Sequence, residues 1–206
     1  MIGVNVAILV IHAVFWLSFA LTALVLRLQR GNHRSVQPGP PVAAAVVAER
    51  EHIGPFSRTV IASHSLGFFL MYFGIDRALS APVWPTWISG QRLIGTAVIV
   101  AGNALAIAAL AHFHSWRIRA RLADGHQLAT AGPFRLIRHP IYLALDLLAL
   151  GSAIWLPTTM LWVSVVVIGI AGDLRARSEE HLLEQAFGDA YLRYESTSKR
   201  FIPRIY

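Results

Sequence analysis

The chain has 206 residues, of which 55% are hydrophobic and only 14% are charged, and its mean hydropathy is +0.54. This composition excludes an ordinary soluble domain and predicts an integral membrane protein, while the absence of cysteine excludes disulfides, thiolate metal sites and a cysteine nucleophile. The formal net charge of +7 comes from basic residues that flank apolar segments, which favours a role in membrane orientation over nucleic-acid binding.

Five apolar segments follow one another along the chain. A helix rises about 1.5 Å per residue and needs about 20 residues to cross about 30 Å of hydrocarbon. The run from Ile141 to Gly172 is too long for one span, but Pro157 removes a backbone donor and clashes with the preceding turn, so a helical hairpin is predicted there. The chain is therefore expected to be an all-α integral membrane protein with a single membrane domain, residues 1–206. Its expected spans are residues 3–26, 59–75, 93–111, 140–156 and 158–173.

The basic residues predict how this bundle is oriented. Sixteen of the eighteen Lys and Arg residues lie in the segments 27–58, 112–140 and 173–206. The positive-inside rule then places the N-terminus outside and the C-terminus in the cytoplasm. A C-terminal cytoplasmic helical segment, residues 174–206, is expected to close a site at the cytoplasmic mouth of the bundle. Residues 36–57 include a linker-like stretch, and the sequence leaves open whether they form an interfacial helix.

The polar segment before the fourth span contains the first candidate site residues. Pro140 suits the first turn of a helix, where its missing backbone donor costs nothing, so His139 lies at or just before the helix N-terminus. Tyr142 and Asp146 follow on the same helix face, although His139 alone is also compatible with a capping or interfacial histidine. A carboxylate inside a span is costly unless it is paired or hydrated, so Asp146 is a candidate site residue with Arg138 or a cationic ligand as partner, or else it caps a water-filled cavity.

The C-terminal polar segment contains the second set of candidates. Its amphipathic pattern predicts two short helices separated by Gly188. Arg175 and Glu179 are four residues apart and are predicted to form an ion pair on one helix face. The pattern alone is equally compatible with a solvated face and with a face that packs on the membrane or the bundle.

Two motifs, GHQLATAGPFRLIRHPIY (residues 125–142) and RARSEEHLLEQAFGDAYLRY (residues 175–194), are separated by the hydrophobic hairpin and followed by a FIP tail. In this order they resemble the isoprenylcysteine carboxyl methyltransferase family and its relatives among membrane phospholipid methyltransferases, and the resemblance covers residues 92–206. It implies an S-adenosyl-L-methionine-dependent methyltransferase whose lipophilic or lipidated acceptor enters from the lipid bilayer. The short form of the chain implies a bacterial or archaeal cytoplasmic membrane.

The resemblance also implies roles for single residues. Arg175 would orient the reacting group of the acceptor, Glu179 would hold the cofactor through its amino group, and these two with His139 are the expected catalytic residues. Asp146 is expected to be a second substrate residue because of its position inside a span. No metal is expected. The expected cofactor-binding residues are His126, Gln127, Leu128, Ala129, Phe134, His139, Pro140, Ile141, Tyr142, Glu179 and Glu180.

The chemical class of the acceptor stays open at this point. A carboxylate acceptor needs no base but benefits from an orienting cation such as Arg175. An amine acceptor must lose a proton, which would give Glu179, Glu180 or His139 the role of a base. The sequence does not choose between carboxylate, amine and thiol.

Two alternative functions remain. The ending FIPRIY is similar to the tail of membrane sterol reductases, which use NADPH, although the Arg175 to Glu180 pattern and the short chain stand against that family. His12 and His64 lie inside the first two spans, which leaves a haem-binding membrane protein with an axial histidine pair as a second alternative. A small transporter would require inverted repeats or paired broken helices, and the sequence shows neither. A soluble methyltransferase would require a GxGxG loop after a strand, and this pattern is also not present.

Overall fold

A computed structural model describes residues 2–31, 55–80, 89–112 and 128–203. Most residues in these ranges are helical. The other residues of the described ranges form short connections, and one isolated parallel bridge joins Ile137 and Lys199. The predicted all-α class is confirmed. The described ranges contain the helices α1 (Ile2–Gly31), α2 (Pro55–Ser80), α3 (Ser89–His112), α4 (Pro140–Trp155), α5 (Thr159–Phe187) and α6 (Asp189–Thr197), and a 3-10 turn covers Gly132–Arg135.

Helices α1, α2, α3 and α5 are long and apolar enough to cross a membrane. Large apolar side chains on their outer faces are left exposed, among them Leu17 (69% exposed), Phe69 (63%) and Leu93 (72%). Exposed apolar surface of this extent is suited to lipid rather than water. The fourth predicted span is the shorter helix α4, whose 16 residues measure about 24 Å. The prediction of an integral membrane protein is therefore confirmed.

The predicted break at Pro157 separates α4 from α5. Helix α4 ends at Trp155, and Thr158 begins α5 as its N-cap, with its side-chain oxygen accepting from the backbone N–H of Leu161 at 3.3 Å. Helix α5 does not end near residue 173 as expected; it continues without a break to Phe187. No proline interrupts this stretch, and ion pairs such as Asp173–Arg177 support its polar half. Gly188 then separates α5 from α6, as predicted.

Glycine residues allow the helices to approach closely around α4 and α5. A β-carbon at Gly151 of α4 would lie 2.7 Å from the carbonyl oxygen of Gly95 in α3, and one at Gly67 of α2 would lie 2.5 Å from the Ile168 side chain of α5. A β-carbon does not fit at such short distances, and small residues are common where membrane helices pack closely. The bundle thereby brings the start of α4 beside the second half of α5.

A buried polar network crosses the apolar bundle near α1. The His12 ring nitrogens lie 3.2 Å from the Tyr72 hydroxyl and 2.9 Å from the Ser152 hydroxyl. Trp16 donates its indole N–H to Tyr72 as well. Both nitrogens of His12 are therefore engaged in helix packing, and His12 is not available as the axial haem ligand that the haem alternative requires.

Candidate active site

The segment that leads into α4 is folded against the C-terminal helix α6. Gly132 opens the 3-10 turn with a φ of 58°, a conformation that favours glycine, and the turn buries Phe134. The Tyr194 hydroxyl of α6 donates to the Phe134 carbonyl oxygen at 2.8 Å. Burial raises the pKa of Tyr194 to about 12, so this hydroxyl remains a protonated donor at neutral pH.

Backbone hydrogen bonds connect the same segment to the residues that follow α6. The N–H of Arg138 donates to the Lys199 carbonyl at 2.7 Å, and the N–H of His139 donates to the Arg200 carbonyl at 3.1 Å. Lys199 donates in return to the carbonyl of Leu136 at 3.0 Å. The sequence just before α4 and the tail after α6 are therefore held as one unit at the same end of the bundle.

Glu180 of α5 is surrounded by three cationic or potentially cationic side chains. Its carboxylate accepts from Arg138 Nε at 2.8 Å and from Arg200 Nε at 3.0 Å, and it lies 3.2 Å from His139 Nε2. The side chain of Glu180 is only 8% exposed. Arg138 also donates to the carbonyl oxygen of Ser198 at 2.7 Å. Because charge-assisted hydrogen bonds occupy its carboxylate, Glu180 ties α4, α5 and the C-terminal tail together.

Glu179, the neighbouring carboxylate, lies in a more open polar group. It accepts a hydrogen bond from the Tyr142 hydroxyl and another from Arg175 Nε at 3.4 Å, which confirms the predicted ion pair. Its second oxygen lies 3.8 Å from His139 Nδ1. The Arg175 guanidinium lies over the Tyr142 ring, 5.7 Å from the ring centre. Glu179 and Arg175 keep 26% and 21% of their side-chain surface exposed, so both are accessible to a ligand.

His139 lies at the N-cap position of α4, as expected from Pro140, but its side chain makes no capping hydrogen bond. The ring stacks on Tyr142 with 5.7 Å between the ring centres and lies between Glu179 and Glu180. His139 therefore occupies the N-cap position without capping the helix through its side chain, which lies in the polar cluster instead. Its predicted shared face with Tyr142 is confirmed.

Asp146 lies one helical turn further into α4 than Tyr142. Its predicted partner Arg138 is bound instead to Glu180 and Glu195, because the backbone bridge to the C-terminal tail turns Arg138 away from α4. Asp146 faces Gly172 of α5: a β-carbon at Gly172 would lie 3.7 Å from Asp146 Oδ1.

The structure brings most of the sequence-predicted site residues to one end of the bundle. Pro140 and Ile141 form the first turn of α4 beside His139, and Phe134 joins through its contact with Tyr194. Leu128 and Ala129 are half-buried in the extended segment before the 3-10 turn. His126 and Gln127 lie outside the described residues. The predicted site residues that these contacts link into one cluster are His139, Tyr142, Arg175, Glu179 and Glu180.

Sequence reasoning did not place two residues from outside the two motifs beside this cluster. Arg200 binds Glu180 and also donates to Asp173 at 3.3 Å. His64 of α2 lies 6.0 Å from the Tyr142 ring, measured between ring centres. Arg200 lies six residues after the second motif, and this proximity could have identified it as a candidate partner of Glu180. His64 was identified from the sequence only as a possible haem ligand, and its position near Tyr142 could not be predicted because α2 meets α4 only through the tertiary fold.

Comparisons with known proteins agree with the two motifs. Residues 91–190 match the phospholipid methyltransferase family. The chain is 30% identical over 120 residues to protein-S-isoprenylcysteine O-methyltransferase B of Arabidopsis thaliana, covering 57% of this chain and 56% of that protein. It is 29% identical over 124 residues to the corresponding methyltransferase A, covering 58% and 61%. An uncharacterized protein of Haemophilus influenzae is 33% identical over 63 residues, which is 30% of this chain and all of that protein.

The chain spans less than two thirds of the length of either plant protein. The matched family region nevertheless contains the first motif and all but the last four residues of the second, and with them His139, Tyr142, Arg175, Glu179 and Glu180. The comparisons therefore support an isoprenylcysteine-methyltransferase-like family for this chain, and the resemblance that its two motifs predict is confirmed.

Proposed function

We propose that the chain is a membrane methyltransferase that uses S-adenosyl-L-methionine to methylate a lipophilic acceptor. The observation that carries this proposal is the cluster of His139, Tyr142, Arg175 and Glu179, where a polar, partly exposed group lies at the junction of two apolar helices. A water-soluble methyl donor and a lipid-dissolved acceptor can meet at such a junction.

The residues present fit the chemistry of this cofactor. S-adenosyl-L-methionine carries an ammonium, a carboxylate, ribose hydroxyls and an adenine, and it supplies an electrophilic methyl group on a sulfonium. Glu179 is a partly exposed carboxylate that suits the ammonium, and the aromatic Phe134, buried in the 3-10 turn, is proposed to form part of the apolar wall beside the cofactor. Leu128 and Ala129 would add backbone groups. His126 and Gln127 are proposed to complete this side of the pocket, together with Pro140 and Ile141 at the start of α4.

Glu180 was expected to bind the cofactor directly, but its contacts favour a positioning role. Arg138, Arg200 and His139 already occupy its carboxylate. By holding His139 beside Glu179, Glu180 fixes the geometry of the pocket. We therefore propose Glu180 as the residue that positions the pocket wall, and Glu179 as the residue that contacts the cofactor.

Methyl transfer from a sulfonium requires little covalent assistance from a protein. Alignment of the acceptor with the methyl group and exclusion of water then provide most of the rate enhancement. Arg175 lies between Glu179 and the deeper part of the bundle, where it can orient the acceptor while it holds Glu179 in place. The apolar faces of α4 and α5 exclude water below this point.

The proposed acceptor is a lipophilic or lipidated molecule that reaches the site from the bilayer. The names of the two plant relatives refer to isoprenylcysteine, a lipidated carboxylate. We further propose that the cluster faces the cytoplasm and that the N-terminus lies outside, because sixteen of the eighteen Lys and Arg residues lie in the sequence segments 27–58, 112–140 and 173–206. The proposed location is the cytoplasmic membrane of a bacterium or archaeon.

The comparisons favour this function over an NADPH-dependent reductase. Equilibrium binding to the purified protein in detergent micelles tests the choice. The proposal predicts saturable binding of S-adenosyl-L-methionine, weakened about 10-fold or more in Glu179→Ala. Binding should be kept in the control Glu184→Ala, whose exposed carboxylate lies further along α5. Saturable NADPH binding without S-adenosyl-L-methionine binding would refute it.

A further inference from the structure

A second polar group lies deeper in the bundle than the Glu179 cluster. His64 of α2, Asp146 of α4 and Gly172 of α5 face one another: a β-carbon at Gly172 would lie 3.7 Å from Asp146 Oδ1 and 3.8 Å from His64 Cε1. Gly172 is seven residues before Glu179, so the group lies about 10 Å further along α5. Three separate helices thus bring polar atoms together inside an apolar bundle.

Two atoms of this group have no hydrogen-bond partner within the part of the chain that the structure describes. They are Asp146 Oδ1 and His64 Nδ1, and both atoms are buried. The His64 residue is only 9% exposed. An unsatisfied buried polar atom costs free energy, and more so for a carboxylate inside a membrane span, so a partner from outside the chain is expected.

Gly172 contributes no side chain between Asp146 and His64. The distances from a β-carbon there to Asp146 and His64 fall in the range of ordinary van der Waals contact. A methyl group at this position would therefore fit, and it would lie directly beside both polar side chains. Gly172→Ala is thus a mild substitution that obstructs the approach of a ligand group to Asp146 and His64.

We propose that His64, Asp146 and Gly172 form a subsite that binds the amine group of a lipid-soluble acceptor. A carboxylate oxygen and a neutral imidazole nitrogen are two hydrogen-bond acceptors, and an amine supplies N–H donors to both. The positive charge of an ammonium also compensates Asp146.

The surrounding charges favour an amine over a carboxylate in this subsite. Arg175, the nearby cation, is bound to Glu179, and its guanidinium lies over Tyr142. A carboxylate placed beside Asp146 would meet like charge, and the nearby Arg175 already has Glu179 as its counter-ion. The subsite is therefore selective for the class of acceptor that the sequence alone left open.

This inference rests on the proposed function, because the bound nitrogen is the methyl acceptor. The incoming ammonium first gives one proton to Asp146. The nitrogen lone pair then forms a C–N bond to the methyl carbon while the C–S bond of the sulfonium breaks, and the sulfur keeps that electron pair as a neutral thioether. Charge and atoms balance, with a methylated ammonium as the product.

Binding of simple amphiphiles to the full chain tests the subsite. The protein is placed in phosphatidylcholine nanodiscs and titrated calorimetrically with dodecylamine or dodecanoate, with empty nanodiscs as the blank. We expect dodecylamine to bind at least about 10-fold more tightly than dodecanoate, since hydrogen bonds to a charged group are each worth roughly that factor. Asp146→Asn and Gly172→Ala are each expected to weaken dodecylamine binding about 10-fold.

Gly169→Ala is the matched control, because it adds the same methyl group to the same helix at a position with nothing within 4 Å. Gly169→Ala should leave dodecylamine binding unchanged. If Asp146→Asn does not fold, Gly172→Ala alone tests the subsite. The inference would be overturned if dodecylamine and dodecanoate bound with equal affinity. It would also be overturned if Gly172→Ala and Gly169→Ala had equal effects, or if the subsite variants bound dodecylamine as tightly as the native chain. Binding of S-adenosyl-L-methionine, measured separately in the same preparations, tests the proposed function, and the amine titration does not require it.

Discussion

Glu179 and Glu180 are neighbours in sequence, yet their surroundings give them different roles. Three basic side chains occupy Glu180, whereas Glu179 keeps 26% of its side chain exposed beside Tyr142 and Arg175. A double-acidic pattern in a sequence cannot separate these roles, because the cations that distinguish them come from Arg138 and Arg200 in distant segments. Sequence reasoning therefore grouped both as cofactor ligands.

Replacing the residues that we propose to face the cofactor should weaken its binding. Glu179→Ala removes the carboxylate proposed to bind the ammonium of the cofactor, and His139→Ala removes the ring stacked on Tyr142. Each is expected to raise the Kd for S-adenosyl-L-methionine about 10-fold or more, the usual size of a charge-assisted contact. Equilibrium dialysis with labelled cofactor measures this change. Unchanged affinity in both variants would show that the motif residues do not form the cofactor site.

Replacing Arg175 should act mainly on turnover. Arg175→Ala removes the cation between the cofactor cluster and the acceptor side, while Tyr142 still donates to Glu179. We expect kcat to fall about 100-fold, a loss of about 2.7 kcal/mol in the transition state, with cofactor affinity changed less than about threefold. The control is Arg177→Ala, an exposed arginine of the same helix that pairs with Asp173. Equal loss of turnover in both variants would contradict this role.

Replacing Glu180 should act on stability. Glu180→Ala removes the buried carboxylate that Arg138 and Arg200 share, and breaking such a buried ion pair costs about 3 kcal/mol or more. Glu195→Ala removes another partner of Arg138, but a half-exposed one, and should cost less than about 1 kcal/mol. Thermal unfolding in detergent should therefore show a clearly lower Tm for Glu180→Ala only. Equal Tm values would mean that Glu180 does not hold the C-terminal tail.

At the scale of helices, hydrophobic length and Pro157 were sufficient to predict the hairpin of α4 and α5. The end of α5 was not predictable in the same way, because the change from apolar to polar sequence near Asp173 ends the expected membrane span but not the helix. Residue pairs such as Arg175 and Glu179 continue the helix beyond that point. A change of polarity marks the solvent boundary, and only a breaker such as Gly188 marks the helix boundary.

Close packing of α3 and α4 depends on glycine and gives a prediction at this scale. Gly151→Ala would place a β-carbon 2.6 Å from the Ile99 side chain and 2.7 Å from the Gly95 carbonyl oxygen, so the two helices must move apart. Overpacking of this kind typically costs about 1–3 kcal/mol. Thermal unfolding should show a lower Tm for Gly151→Ala, with Gly169→Ala unchanged or slightly more stable. An unchanged Tm for Gly151→Ala would refute this account of the packing.

At the scale of the whole molecule, composition and apolar periodicity predicted an all-α membrane protein, and this was confirmed. They could not predict that α2 brings His64 beside Asp146, because no local pattern in either helix refers to the other. The contacts around Glu180 likewise arise from the bridge between the segment before α4 and the tail after α6. Motifs therefore identified most of the cluster, and the tertiary fold supplied its positioning residues and its deeper polar group.

We propose that this bundle transfers a methyl group from S-adenosyl-L-methionine to a lipid-soluble acceptor. The most direct test incubates the purified protein in native lipid extract with S-adenosyl-L-methionine labelled in the methyl group. The account predicts label in a product that partitions into organic solvent, at a rate lowered strongly by Glu179→Ala and Arg175→Ala and not by Arg177→Ala. Saturable cofactor binding with no label in any lipid-soluble product would contradict it.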